Sequence, residues 1–92
     1  MSVTVSIPTI LRPHTGGQKH VTATGATLAA VIDDLEAQYT GIADRLLDAG
    51  KLHRFVNVYV NDEDVRFSGG LDTAIADGDA LTILPAVAGG TV

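Results

Sequence analysis

Thr27-Leu28-Ala29-Ala30-Val31-Ile32-Asp33-Asp34-Leu35-Glu36-Ala37-Gln38-Tyr39 is the stretch that decides the fold. Leu28, Val31, Ile32, Leu35 and Tyr39 recur at helical spacing and make one apolar stripe, while Asp33, Asp34 and Glu36 fall off it. Thr27 has the side chain of an N-cap, and Gly41 can stop the helix in a left-handed conformation. A further turn over residues 42–47 would pack Ile42, Leu46 and Leu47 inward. A helix apolar on one side needs one apolar surface to cover, and the segments around it read as strands.

Upstream, Ser2 to Ile10 alternates, with Val3, Val5 and Ile7 on one face and Ser2, Thr4 and Ser6 on the other, so it is expected to be a half-buried strand. Pro13 and Gly16-Gly17 break the chain, and Lys19 to Thr24 returns as the second arm of a hairpin. Downstream, Asp48 to Lys51 is expected to be a loop. Arg54 to Asn61 is the strongest strand, with Val56, Val58 and Val60 on one face and Phe55, Asn57 and Tyr59 on the other. Asn61 to Asp64 is a turn, Val65 to Phe67 a short return strand, and Leu71 to Ile75 a single plugging turn. Ala76-Asp77-Gly78-Asp79 reads as a tight turn. Ala80 to Leu84 is the last strand, Leu81 and Ile83 facing inward. One helix on one face of a mixed sheet of about five strands is an α+β roll, and a single-domain β-grasp is its simplest form at this length.

The chain has 92 residues, one domain's worth, with 46% apolar residues, 4% aromatic residues and no cysteine. The scarcity of aromatics argues against a deep cofactor pocket. The lack of cysteine excludes a disulfide framework, a thiolate nucleophile and a Cys-ligated metal. The net charge of −5 argues against nucleic acid and favours a basic protein partner. No apolar run approaches transmembrane length, so no membrane association is expected, and the alternation from residue 2 onward is unlike a signal peptide. A cytoplasmic setting fits these features.

The last nine residues, Leu84-Pro85-Ala86-Val87-Ala88-Gly89-Gly90-Thr91-Val92, run from a strand through a proline into small residues and two glycines. Adjacent glycines without side chains can thread a narrow channel and let their backbone approach a reacting centre. A frayed terminus is the alternative.

The Asp77-Gly78-Asp79 turn, the apolar strand Leu81 to Leu84, Pro85 and Gly89-Gly90 together resemble the ubiquitin-like sulfur-carrier family of the ThiS and MoaD type. The segments 8–12, 50–61 and 62–70 are similar to its CysO-type members, carriers of cysteine biosynthesis. The resemblance spans nearly the whole chain and departs from it only at Thr91-Val92. It implies that residues 1–92 form one carrier domain with a flexible tail over 86–92. It implies that an E1-like activating enzyme adenylates Gly90 with ATP and that sulfur then displaces AMP to leave a thiocarboxylate. A PLP-dependent cysteine synthase, or another sulfur acceptor enzyme, would receive the sulfur, and a JAMM-type metalloprotease would release the product. Gly89 would give the tail its slimness. Thr91-Val92 would first be removed at the Gly90–Thr91 bond, since an amide there cannot be adenylated. No bound cofactor is implied.

His14, His20 and His53 lie in three separate segments without metal-site spacing, and no metal is expected. Asp62-Glu63-Asp64 reads as a solvated turn, and Asp77 and Asp79 as turn caps. Arg54, Arg66 and Phe67 are candidates for the surface around the tail. No catalytic triad or carboxylate pair is legible, so a carrier rather than an enzyme is expected. Two alternatives stand beside sulfur donation for cysteine, thiamin thiazole, molybdopterin or another sulfur-containing metabolite: a ubiquitin-like protein modifier, and an inert binding module.

Overall fold

The computed structural model describes residues 2–48, 50–53 and 56–85. Strand β1 (Ser2–Ser6) pairs antiparallel with β2 (His20–Thr24). Helix α1 (Leu28–Gln38) and the short α2 (Ile42–Leu46) follow. Then come a two-residue hairpin of β3 (Leu47–Asp48) and β4 (Lys51–Leu52), strand β5 (Val56–Val60), the two-residue β6 (Glu63–Asp64) and the last strand β7 (Ala80–Pro85). The main sheet has five strands in the order β2-β1-β7-β5-β6. β7 runs parallel to β1 and antiparallel to β5, so the sheet is mixed. This is the β-grasp arrangement expected from the helix stripe.

The core follows the alternation. Val3 and Val5 of β1, Val58 of β5, and Leu81 and Ile83 of β7 are buried against Leu28, Val31, Ile32 and Leu35 of α1. The Thr27 hydroxyl accepts from the Ala30 N–H at 3.2 Å, which makes Thr27 the N-cap as expected. Ile42 and Leu46 of α2 are buried, whereas Leu47 is only partly covered because the chain has already turned into β3.

Four local expectations change, the first being that Asp48 and Lys51, expected in a loop, pair with each other in the β3–β4 hairpin. The first strand ends at Ser6 rather than Ile10, and Thr9–Thr15 forms a 3-10 helix led by Pro8. Pro8 cannot donate to a ladder, so the alternating pattern cannot continue as paired strand. The return strand is Glu63–Asp64, and Val65–Phe67 is a 3-10 turn capped by the Asp64 side chain on the Arg66 N–H. Gly41, with φ of +100°, leads into α2 instead of ending α1; Tyr39 is the C-cap of α1, its N–H donating to Leu35 O at 2.7 Å. Glu36 fixes this corner: its carboxylate accepts from the Gly41 and Ala43 N–H groups, each at 2.9 Å. The Gly41 bond first and the Ala43 bond second hold the Glu36 carboxyl below its ordinary value; desolvation opposes them, and His14 adds the least.

Candidate functional site: the strand end that carries the tail

The geometry of interest is the C-terminal end of β7, where the described chain stops at exposed Pro85. The tail 86–92, with Gly89, Gly90, Thr91 and Val92, lies outside the described residues, as do Arg54 and Phe55. What can be read is the platform from which that tail leaves.

Pro85 stands opposite Val56 in the β5–β7 ladder. The Asn61 N–H donates to Ala80 O at 2.8 Å, which sets the phase of the antiparallel bonding. The pairs Tyr59–Thr82 and Asn57–Leu84 then fall at hydrogen-bonding positions, and Val56–Pro85 at a non-bonding one. Proline therefore ends the strand without costing it a bond to β5. At such a position the Val56 carbonyl points away from β7. The Arg66 guanidinium fills that direction, donating to Val56 O at 2.6 Å and to the Asn57 Oδ1. Arg66, named from the sequence as part of the tail surround, is thus brought to the strand end. Its neighbour Phe67 is 87% exposed.

On the other flank, Pro8, Ile10 and Leu11 of the 3-10 segment, Arg45 of α2, and Leu84 and Pro85 of β7 line a groove of about 220 Å³. Ile10 is 65% exposed and Leu84 45% exposed, so this end of the sheet presents apolar side chains to solvent. Sequence reasoning placed Ile10 on a strand and did not find the groove. The signal was Pro8, which breaks the strand and turns the chain across the end of β7.

The other singled-out residues have structural duties. Asp77 Oδ1 accepts the Ser2 N–H at 2.8 Å, and the Asp79 carboxylate accepts from the Ala76 N–H and the Asn61 Nδ2, each at 2.8 Å. The Ala76 bond first and the Asn61 bond second hold the Asp79 carboxyl below its ordinary value. Asn61 and Asp62, with φ of +50° and +72°, form the turn joining β5 to β6, and Glu63 and Asp64, expected in that turn, are strand β6 itself. Gly16-Gly17 and Gly69-Gly70 sit in turns at positive φ. His14, His20 and His53 fall on different elements, and among the described residues no group of three His, Cys, Asp or Glu could hold a metal ion. Among the described residues, no helix is long and apolar enough to cross a membrane.

Comparison with known proteins connects this platform to a family. Residues 5–90 match the model of the ThiS family. The chain is 78% identical over 93 residues to the sulfur carrier protein CysO of Mycobacterium tuberculosis, covering 98% of this chain and 100% of that protein. Small archaeal modifier protein 3 of Haloferax volcanii is 45% identical over 65 residues, covering 71% of each. The crystal structure of Mycobacterium tuberculosis CysO superposes with a TM-score of 0.90 at 78% identity, covering 92% of this chain and 99% of that one. The CysO of the Amycolatopsis orientalis BexX/CysO complex does so with a TM-score of 0.91 at 69% identity, covering 96% and 99%.

Proposed function

The chain belongs to the ThiS family, and from that premise we propose that it is a sulfur carrier whose Gly90 carboxylate is activated and thiolated by a partner enzyme. The observation that carries this reading is the 78% identity, over essentially both full lengths, to proteins named sulfur carrier protein CysO. The chain is a carrier acted on by partner enzymes and not a catalyst itself.

The chemistry follows from the terminus. A carboxylate is a poor electrophile. Attack of the Gly90 carboxylate on the ATP α-phosphorus gives an acyl-adenylate and releases pyrophosphate. A sulfur nucleophile then adds to the acyl carbon and AMP leaves, so one carboxylate oxygen is replaced by sulfur. The thiocarboxylate is a soft nucleophile at neutral pH, and its tether raises its local concentration at the acceptor. The domain's part is positional. From Pro85 to Gly90 the chain can span at most about 17 Å, so any enzyme reacting at Gly90 must sit against the end of β7.

Activation needs a free Gly90 carboxylate, so Thr91-Val92 is removed first, by a metalloprotease of the JAMM type. ATP enters only as the partner's substrate. Cysteine biosynthesis, through a PLP-dependent synthase, is the leading destination of the sulfur, in the cytoplasm. Thiamin thiazole, molybdopterin and other sulfur-containing metabolites are the alternative destinations.

The test is intact mass after incubation with the cognate activating enzyme, ATP and a sulfide source. A chain ending at Gly90 gains the mass difference between sulfur and oxygen, and the chain ending at Val92 does not. Equal ATP–pyrophosphate exchange by both chains would refute the trimming step. A second reading, protein modification, is favoured by the identity to small archaeal modifier protein 3. It would instead give covalent conjugates of higher mass and no persistent thiocarboxylate.

A further inference from the structure

The net charge of −5 hides a division between the two ends of the sheet. At the end where β7 begins, Ala80 N–H is bonded to the Asn61 Oδ1 and Ser2 N–H to Asp77. Asp62, Glu63, Asp77 and Asp79 surround that end, four carboxylates with no cation among the described residues there. The opposite end, about 17 Å along the strand, carries the basic residues. Arg45 lines the groove beside Pro85, and the Arg66 guanidinium is bonded to Val56 O opposite Pro85. Lys51 lines a shallow depression with Arg66. Arg12 Nε is bonded to Ile7 O at 3.2 Å, and Lys19 O accepts from the Ile7 N–H at 2.7 Å, which sets both just beyond β1. Asp44 in the groove, Glu36 on the Ala43 N–H beside it, Asp48 opposite Lys51 and Asp72 next to the depression offset only part of these five cations. Arg45, Lys51 and Arg66 are exposed.

We infer that this strand end is a basic collar that orients the carrier, tail first, towards an enzyme whose tail-accepting slot is rimmed by carboxylates. The inference rests on the sulfur-carrier reading, because only an enzyme that reacts at Gly90 is forced by tail length to face this end. Overall acidity alone would favour a basic partner. The asymmetry reverses that expectation locally: a carboxylate-rimmed slot attracts the collar and repels the acidic end, so encounters in the wrong orientation are rejected before contact.

The experiment is stopped-flow association of the chain with its cognate activating enzyme in the presence of ATP, across ionic strength. The double variant Arg45→Gln/Lys51→Gln is compared with Asp62→Asn/Glu63→Gln at the far end. The collar variant is expected to associate roughly tenfold more slowly than wild type at low salt. The gap should close near 1 M salt, where screening reaches about 3 Å. The far-end variant should stay within about twofold of wild type, because its charges point away from the slot. Thermal melts matching wild type show that both variants fold. Collar and wild-type chains associating equally at low salt would overturn the inference. So would rates that simply follow net charge whichever end is altered. If the wild-type chain ending at Gly90 is never adenylated, the sulfur-carrier reading falls and takes the collar with it. Normal adenylation with unchanged association rates removes the collar alone.

Discussion

Leu81→Ala tests whether the strand that bears the tail is held by the core. Leu81 is 1% exposed. It pairs with Val5 of β1 on one side and Val60 of β5 on the other, and the neighbouring buried side chains of α1 include Leu28, Ile32 and Leu35. Truncation removes the transfer free energy of the lost atoms and leaves a void that sheet neighbours on two sides and a helix above cannot readily fill. That places the cost in the upper part of the usual range, about 3–5 kcal/mol. A domain of 92 residues has a total stability of roughly 5–14 kcal/mol, so about a fifth or more would be lost. At about 4–8 °C per kcal/mol for a domain of this size, the melting temperature should fall by roughly 12–40 °C. The assay is a reversible thermal melt by circular dichroism, paired with thiocarboxylate formation at a temperature where the variant is folded. Activity per folded molecule should match wild type. A melt within a few degrees of wild type, or normal stability with lost activity, would refute the placement of Leu81.

Gly25→Ala should destabilise by about 1–3 kcal/mol in denaturant titration, because its Cβ would lie 2.6 Å from the Val31 backbone nitrogen and 2.8 Å from the Ala30 carbonyl carbon. Glu36, whose carboxyl is held below its ordinary value, contributes stability that is fully present above the unfolded-state value and is lost as pH falls through the depressed folded-state one. Urea midpoints of wild type should therefore drop more steeply than those of Glu36→Gln as pH is lowered from 7 towards 3, and parallel curves would contradict this. In a chain ending at Gly90, Gly89→Ala should melt like wild type yet be adenylated far more slowly. A Cβ there restricts the backbone, and a misplacement of about 1 Å can cost on the order of a hundredfold in rate. Wild-type single-turnover adenylation would end the threading argument.

The helix, the hairpin and the two central strands were legible because Leu28 to Leu35 and Val56 to Val60 each carry one unbroken period matching the face they bury. Ser2–Ile10 misled because the alternation that runs to Ile7 was carried on to Ile10, although Pro8 removes the donor that pairing needs and Thr9 and Ile10 break the phase. The β3–β4 hairpin was missed because two-residue strands carry no period at all. The tail glycines were read only as chemistry, and they lie outside the described residues. Of the platform beneath them, Arg66 was named from the sequence; the groove on the other flank was not, because Ile10 and Arg45 come together with Leu84 and Pro85 through tertiary pairing that leaves no local signature.

The placement of β7 has a mechanical consequence. It is laced to β5 over Ala80-side and Pro85-side residues alike, from Leu81 to Pro85, and to β1 from Ala80 to Thr82. A pull applied at Pro85 along the strand axis acts across hydrogen bonds that lie roughly at right angles to it. Such a load shears the bonds together, whereas a pull at right angles to an edge strand would unzip them one by one. On the proposed reading, an enzyme that drew the tail into a slot would load the strand in this way, and the domain would stay folded behind it.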